Sequence, residues 1–248
     1  VIVETDPPVL TPVIRNISPR IKAFYTGMPA RYNETDIRYP VIFFFHGGGQ
    51  YGNGTNIDTV LSEGIPKLMR DKKFPPSFET SDGKRHSFIM IAPQFTERPT
   101  NIDIQALVEH IKQQYRIDTT RLYVTGFSLG GRVASDYAAF NPTKVAALVT
   151  MAGMSQINAS LEAKCKAIAD ADLPVWHFHN RPDSAWYLVE GERFVQTINQ
   201  FQPAIPARIT IYETGEARLN HDSWTRATNP ENKVDGLNIY TWLLQYKR

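Results

Sequence analysis

A single cysteine in 248 residues leaves little to build with sulfur. Cys165 has no intrachain partner for a disulfide and no second thiol for a zinc cluster, so the fold must rest on its apolar core. Net charge is almost absent: 27 lysines and arginines against 25 acids leave a formal +2. There is no basic block and no basic–aromatic stripe, and nucleic acid is therefore not an expected partner. No apolar run nears the roughly 18 residues that a membrane-spanning helix needs. Internal repeats and low-complexity stretches are missing as well. What the chain does have is 42% hydrophobic residues, 15 glycines and 17 prolines. That is enough to bury a sizeable core behind well-defined turns, and the expectation is one domain over 1–248, with 1–20 as an extended, proline-punctuated lead-in.

Apolar runs and helical patterns alternate along the chain. Pro40–Phe45 is continuously apolar, as in a strand buried on both faces of a parallel sheet. Ser87–Ala92, Leu122–Thr125, Val145–Met151, Leu173–His179 and Ala207–Tyr212 read as further strands. Ile21–Tyr32 reads as strand with a hairpin around Thr26–Pro29. Helical patterns cover Ile57–Asp71 (divided by Pro66), Ile104–Tyr115, Gly131–Phe140, Leu161–Ile168, Glu190–Asn199 and a closing Leu237–Tyr246. The expected fold class is α/β, a doubly wound, mostly parallel sheet whose chemistry lies at the carboxyl ends of its strands.

The most informative stretch is Arg121–Gly131, in which an apolar strand runs into Gly126-Phe127-Ser128-Leu129-Gly130 and a helix follows. A G-x-S-x-G turn between strand and helix lifts the serine hydroxyl clear of the sheet. The N-terminus of the next helix then faces the reaction centre, where its dipole favours developing negative charge. A serine hydroxyl needs a base, and the base needs an orienting acid. His46, His86 and His110 precede Ser128; His177, His179 and His221 follow it. In the chain order serine, acid, histidine, the base is His221, in a loop beyond the last predicted strand. The acid is Asp183, a few residues past a strand end, with Glu190 and Glu192 as alternatives; Asp222 is adjacent to His221 and would point elsewhere. Backbone donors for an oxyanion are expected from Leu129, directly after the serine, and from Gly48 and Gly49 after the Pro40–Phe45 strand.

The ordered set HGGGQ (His46–Gln50), APQ (Ala92–Gln94), DTTRLYVTGFSLGG (Asp118–Gly131), FHNRPD (Phe178–Asp183) and HDSW (His221–Trp224) resembles the serine-esterase side of the α/β-hydrolase superfamily. It is most similar to the branch of polyhydroxybutyrate depolymerases, feruloyl and acetyl-xylan esterase-like enzymes, and predicted peptidases or phospholipase/carboxylesterases. The resemblance runs from about Ile21 to the C-terminus. It implies Ser128 as nucleophile, Asp183 as acid, His221 as base, Leu129, Gly48 and Gly49 around the oxyanion, and no cofactor. It departs from that branch at three places. Gln50 stands where a glutamate commonly follows the glycines, Asn220 where a glycine commonly precedes the histidine, and FHN where FHG is usual.

The short Met151–Leu173 connection leaves no room for a large cap, so the cleft is expected to be open, with Gln50, Tyr51, Phe127, Trp186 and Trp224 as candidate lining residues. The expected partner is a small-molecule or carbohydrate-linked ester. The start at Val1 rather than methionine, with the polysaccharide-esterase resemblance, points towards a secreted or periplasmic protein. Two other classes also fit features of the sequence. His177-Phe-His179 places two imidazoles on one side of a strand, as metal hydrolases do. A catalytically silent binding protein on the same scaffold is the other.

Overall fold

All seven residues of Tyr39–Phe45 are buried, because this strand lies inside the sheet with a layer of helices on each face. The computed structural model describes residues 4–214 and 220–248. In chain order the strands are β1 (Val9–Ser18), β2 (Ile21–Met28), β3 (Tyr39–Phe45), β4 (Phe78–Glu79), β5 (Arg85–His86), β6 (Ile89–Phe95), β7 (Ile117–Phe127), β8 (Ala147–Met151), β9 (Val175–Asn180) and β10 (Arg208–Tyr212). The α-helices are α1 (Gly64–Arg70), α2 (Asn101–Gln114), α3 (Leu129–Phe140), α4 (Leu161–Asp170), α5 (Leu188–Gln200), α6 (Trp224–Thr228) and α7 (Ile239–Leu243). Eight strands form one sheet in the order β1-β2-β6-β3-β7-β8-β9-β10, and β4 and β5 make a separate small hairpin. From β6 to β10 every neighbouring pair is parallel, while β2 is antiparallel to both β6 and β1. The mostly parallel α/β sheet read from the sequence is the observed architecture.

Strand alternation divides the core in two. Val41, Phe43 and Phe45 point to the face covered by α2, α3, α4 and α5, in one apolar cluster with Leu107, Tyr137, Ile168 and Phe194. Ile42 and Phe44 point to the other face, under α1, α6 and α7, with Met69, Trp224 and Trp242. Cys165 lies in the first cluster, and burial pushes its thiol up to about 12, so it serves as a small apolar residue. No helix among the described residues is long and apolar enough to cross a membrane.

Three local expectations are corrected. The first hairpin turns at Pro19-Arg20, between β1 and β2, and not at Thr26–Pro29, which lies at the end of the continuous strand β2. The Ile57–Asp71 pattern divides at Glu63-Gly64 rather than at Pro66: a 3-10 turn over Ile57–Ser62 gives way to α1 at Gly64, whose φ is +60°. Pro66 falls in the first turn of α1, where its missing N–H has no intrahelical partner to lose. The closing helix covers only Ile239–Leu243, starting where Asn238 accepts hydrogen bonds from Tyr240 N and Thr241 N. Between β8 and α4, residues 152–160 hold neither helix nor strand, so no cap is inserted there.

Candidate active site

The loops at the carboxyl ends of β3, β7 and β9, and residues 220–223 before α6, converge on Ser128. Its backbone is strained, with φ +52° and ψ −124° between the last residue of β7 and the first of α3. Such a conformation costs about 1–3 kcal/mol and survives only where the surroundings enforce it. Here Ser128 N–H donates to Met151 O at 2.8 Å, and Arg132 N–H donates to Ser128 O at 3.2 Å. Glycine is required beside it by contact: a Cβ on Gly130 would lie 2.0 Å from the carbonyl oxygen of Phe45.

His221 approaches from the segment before α6. Its Nε2 lies 3.0 Å from Ser128 Oγ and its Nδ1 2.7 Å from Asp183 Oδ2. The rings of His221 and Trp224 stand nearly perpendicular with centroids 5.2 Å apart, and Trp224 itself packs against Phe127 with its indole N–H donating to Glu63. Asp222 does turn elsewhere, accepting from the Thr225 N–H and hydroxyl at the start of α6. Asn220 takes φ +57°, which asparagine adopts more readily than most residues, so it can stand where a glycine is usual. Its carbonyl accepts from Asn180 Nδ2 at 2.8 Å, which joins two of the three departures noted above.

Asp183 is buried and fully subscribed. Oδ1 accepts from the N–H groups of Ala185 and Trp186, at 2.8 and 3.0 Å, and Oδ2 accepts from His221 and, at 3.2 Å, from His179 Nε2. Burial alone would push this carboxyl up. The bonds from His179, His221 and Trp186 N–H outweigh it and hold Asp183 well below the usual carboxylate range. Glu190 and Glu192, the alternative acids, sit on α5, and the carboxylate at His221 is that of Asp183.

On the other side of Ser128, Gly48 and Gly49 are exposed in a 3-10 turn, Gly48–Gln50, with open space where either would carry a Cβ. Leu129 is half-buried at the first position of α3. The turn is fastened from beneath. Gln50 Oε1 accepts from Gly47 N–H at 3.1 Å, and its Nε2 donates to Thr59 O and to Ser62 Oγ at 2.8 Å. Gln94 Oε1 accepts from Gly54 N–H, and its Nε2 lies 2.9 Å from Thr59 Oγ1. His46 donates from Nδ1 to Gly47 O and accepts Phe95 N–H at Nε2; burial pushes it down to about 4, so it is neutral. His46 and Gln94 shape this loop without having been singled out for it, although both stood in the HGGGQ and APQ motifs.

The lining expectation divides. Gln50, Phe127 and Trp224 are buried and committed to packing or to their own loops. Tyr51 and Trp186 are half-buried, with Tyr51 edge-on to His46 at 5.8 Å. The metal alternative is not matched. The ring nitrogens of His177 and His179 all have hydrogen-bond partners, and among the described residues no group of three histidine, cysteine or acidic side chains is placed to hold an ion.

A model of the Phospholipase/Carboxylesterase family matches residues 95–228, a span reaching from the end of β6 through Ser128, Asp183 and His221. A bifunctional acetylxylan esterase/xylanase of Neocallimastix patriciarum is 25% identical over 165 residues, which is 62% of this chain and 21% of that protein. The chain thus spans about a fifth of the length of that relative. Among solved structures, a thermostable esterase superposes with a TM-score of 0.66 at 19% identity, covering 99% of this chain and 64% of the other. A feruloyl esterase module from Clostridium thermocellum, complexed with sinapinate, gives 0.60 at 13% identity over 94% and 90%. At such identities the likeness concerns the fold, which is that of the α/β-hydrolases. With more than half of its length inside the family model, the chain belongs to the Phospholipase/Carboxylesterase family.

Proposed function

We propose that this protein hydrolyses carboxylic esters through an acyl-enzyme formed on Ser128. One observation carries the reading: an unbroken line of hydrogen bonds from Ser128 Oγ through His221 to Asp183, at 3.0 and 2.7 Å. In the first half-reaction His221 Nε2 takes the hydroxyl proton as Oγ attacks the ester carbonyl. Asp183, kept anionic by its donors, stabilises the imidazolium without itself taking the proton. The tetrahedral oxyanion is received by the N–H of Leu129, at the start of α3, and by those of Gly48 and Gly49. The imidazolium then protonates the leaving alkoxide, which departs as the alcohol. In the second half a water, deprotonated by His221, attacks the acyl-enzyme; the acid is released and Oγ regains its proton.

The substrate class proposed is a small acyl ester or an acyl group on a plant polysaccharide. It is supported by the family, by the acetylxylan esterase relative, and by the absence of a cap between β8 and α4. The test is hydrolysis of p-nitrophenyl acetate, a methyl hydroxycinnamate and acetylated xylan, with fluorophosphonate labelling alongside. Turnover and labelling should both vanish in Ser128→Ala. A folded Ser128→Ala protein with full activity, or a wild type inert on all three substrates, would overturn the proposal.

A further inference from the structure

His177 and His179 take no part in the steps above, yet both are completely buried directly behind Asp183. Alternation along β9 puts both rings on one side, towards α5. They stand in series. Thr150 Oγ1 lies 2.8 Å from His177 Nδ1, His177 Nε2 lies 2.9 Å from His179 Nδ1, and His179 Nε2 lies 2.8 Å from the carbonyl of Trp186 and 3.2 Å from Asp183 Oδ2.

The acceptors at the end of this series set its direction. A carbonyl and a carboxylate can only accept, so the proton of His179 is on Nε2. With one proton on each ring, His179 Nδ1 accepts from His177 Nε2–H, and His177 Nδ1 accepts from the Thr150 hydroxyl. Burial drives His177 well below its ordinary range, which agrees with a singly protonated ring there. Helix α5 makes room for the pair by lacking a side chain where it crosses them: a Cβ on Gly191 would fall 2.4 Å from His177 Nε2. Purely apolar residues would fill the same space without any polar atom to satisfy.

We infer that His179, oriented through His177 and Thr150, is a positioning residue that fixes the Asp183 carboxylate for His221. This rests on the ester-hydrolase reading above. Oδ2 faces His221 on one side and His179 on the other. Without the second donor the carboxylate is held mainly through Oδ1 and is free to tilt away from the imidazole. The loss is felt when His221 becomes positively charged, after substrate has bound, so it falls on kcat and leaves KM alone.

The experiment compares wild type with His179→Leu and His179→Gln, the latter keeping an N–H near the position of Nε2. Readouts are kcat and KM on p-nitrophenyl acetate, thermal melting, and low-field proton NMR of the imidazole N–H groups. His179→Leu should lower kcat by about 10- to 100-fold, the range set by one charge-assisted hydrogen bond, with KM within about twofold. His179→Gln should recover most of that loss. Unchanged kcat in folded His179→Leu, or a loss that Gln does not recover, would overturn the inference. If His179→Leu does not fold, Thr150→Val breaks the series at its far end. A fall in kcat at constant KM would then support the inference, and no change would overturn it. The NMR arm separates this inference from the functional reading. Slowly exchanging His177 and His179 N–H signals in wild type support the series even in a protein inert on esters, and their absence overturns it even in an active one.

Discussion

The two sides of Ser128 are held by opposite means. The loop with Gly48 and Gly49 is fastened by neutral groups throughout: the amides of Gln50 and Gln94 and the uncharged ring of His46. The loop after β9 is built around a charge, with four donors converging on the carboxylate of Asp183. On the reading proposed above, the glycine turn receives a transient anion and is braced by the uncharged Gln50, where a glutamate is common in the branch the sequence resembles. An imidazole that must become cationic needs a permanent anion at its back. Gln50 on one side is an uncharged amide and Asp183 on the other a carboxylate held ionised by its donors.

The comparison can be tested by exchanging the chemistry. Asp183→Asn removes the charge from the side that needs it; kcat should fall by about 10⁴-fold while melting changes far less, because the amide misplaces the proton on His221. Acidification attacks the neutral side. His46 takes up a proton only near pH 4 when folded, against about 6.5 when unfolded. Stability is therefore full above about pH 6.5 and declines as pH falls towards 4, by about 3 kcal/mol from this residue. His177, also depressed by burial, adds to the loss on the same side of 6.5. Denaturant melts from pH 7 to 4 should show this slope, and His46→Asn should flatten it. Gln50→Glu brings a charge to the neutral side and forfeits the donors to Thr59 and Ser62. It should cost about 1–3 kcal/mol in melts, with kcat falling more than KM rises. The smallest effect is expected at Asn180→Ala, which removes one neutral hydrogen bond to Asn220 O and should cost about 1 kcal/mol in denaturant melts.

The parts legible in the sequence were those governed by local rules. A run such as Pro40–Phe45 can only be a strand covered on both faces, and the glycines around Ser128 announce a turn in which backbones touch. Less legible were features decided by distant partners. Thr26–Pro29 has the residues of a turn, but β2 pairs with both β1 and β6 and runs on through Met28. Pro66 looked like the break in its helix, while the left-handed Gly64 made it. Gln50, Phe127 and Trp224 stand within the motifs as candidate lining, and their side chains turn inward to partners such as Ser62, Phe44 and Glu63. His177-Phe-His179 showed correctly that two rings share a side of a strand. Which groups they meet depended on Thr150, Trp186 and Gly191, brought in by three other segments.

The bond between Asn180 and Asn220 has a consequence for anyone transplanting this rim onto a sister scaffold. One asparagine tolerates a left-handed backbone and the other ties down the carbonyl that this backbone presents, so the two work as a single structural unit. Copying either alone would import a turn without its latch, or a latch with nothing to hold.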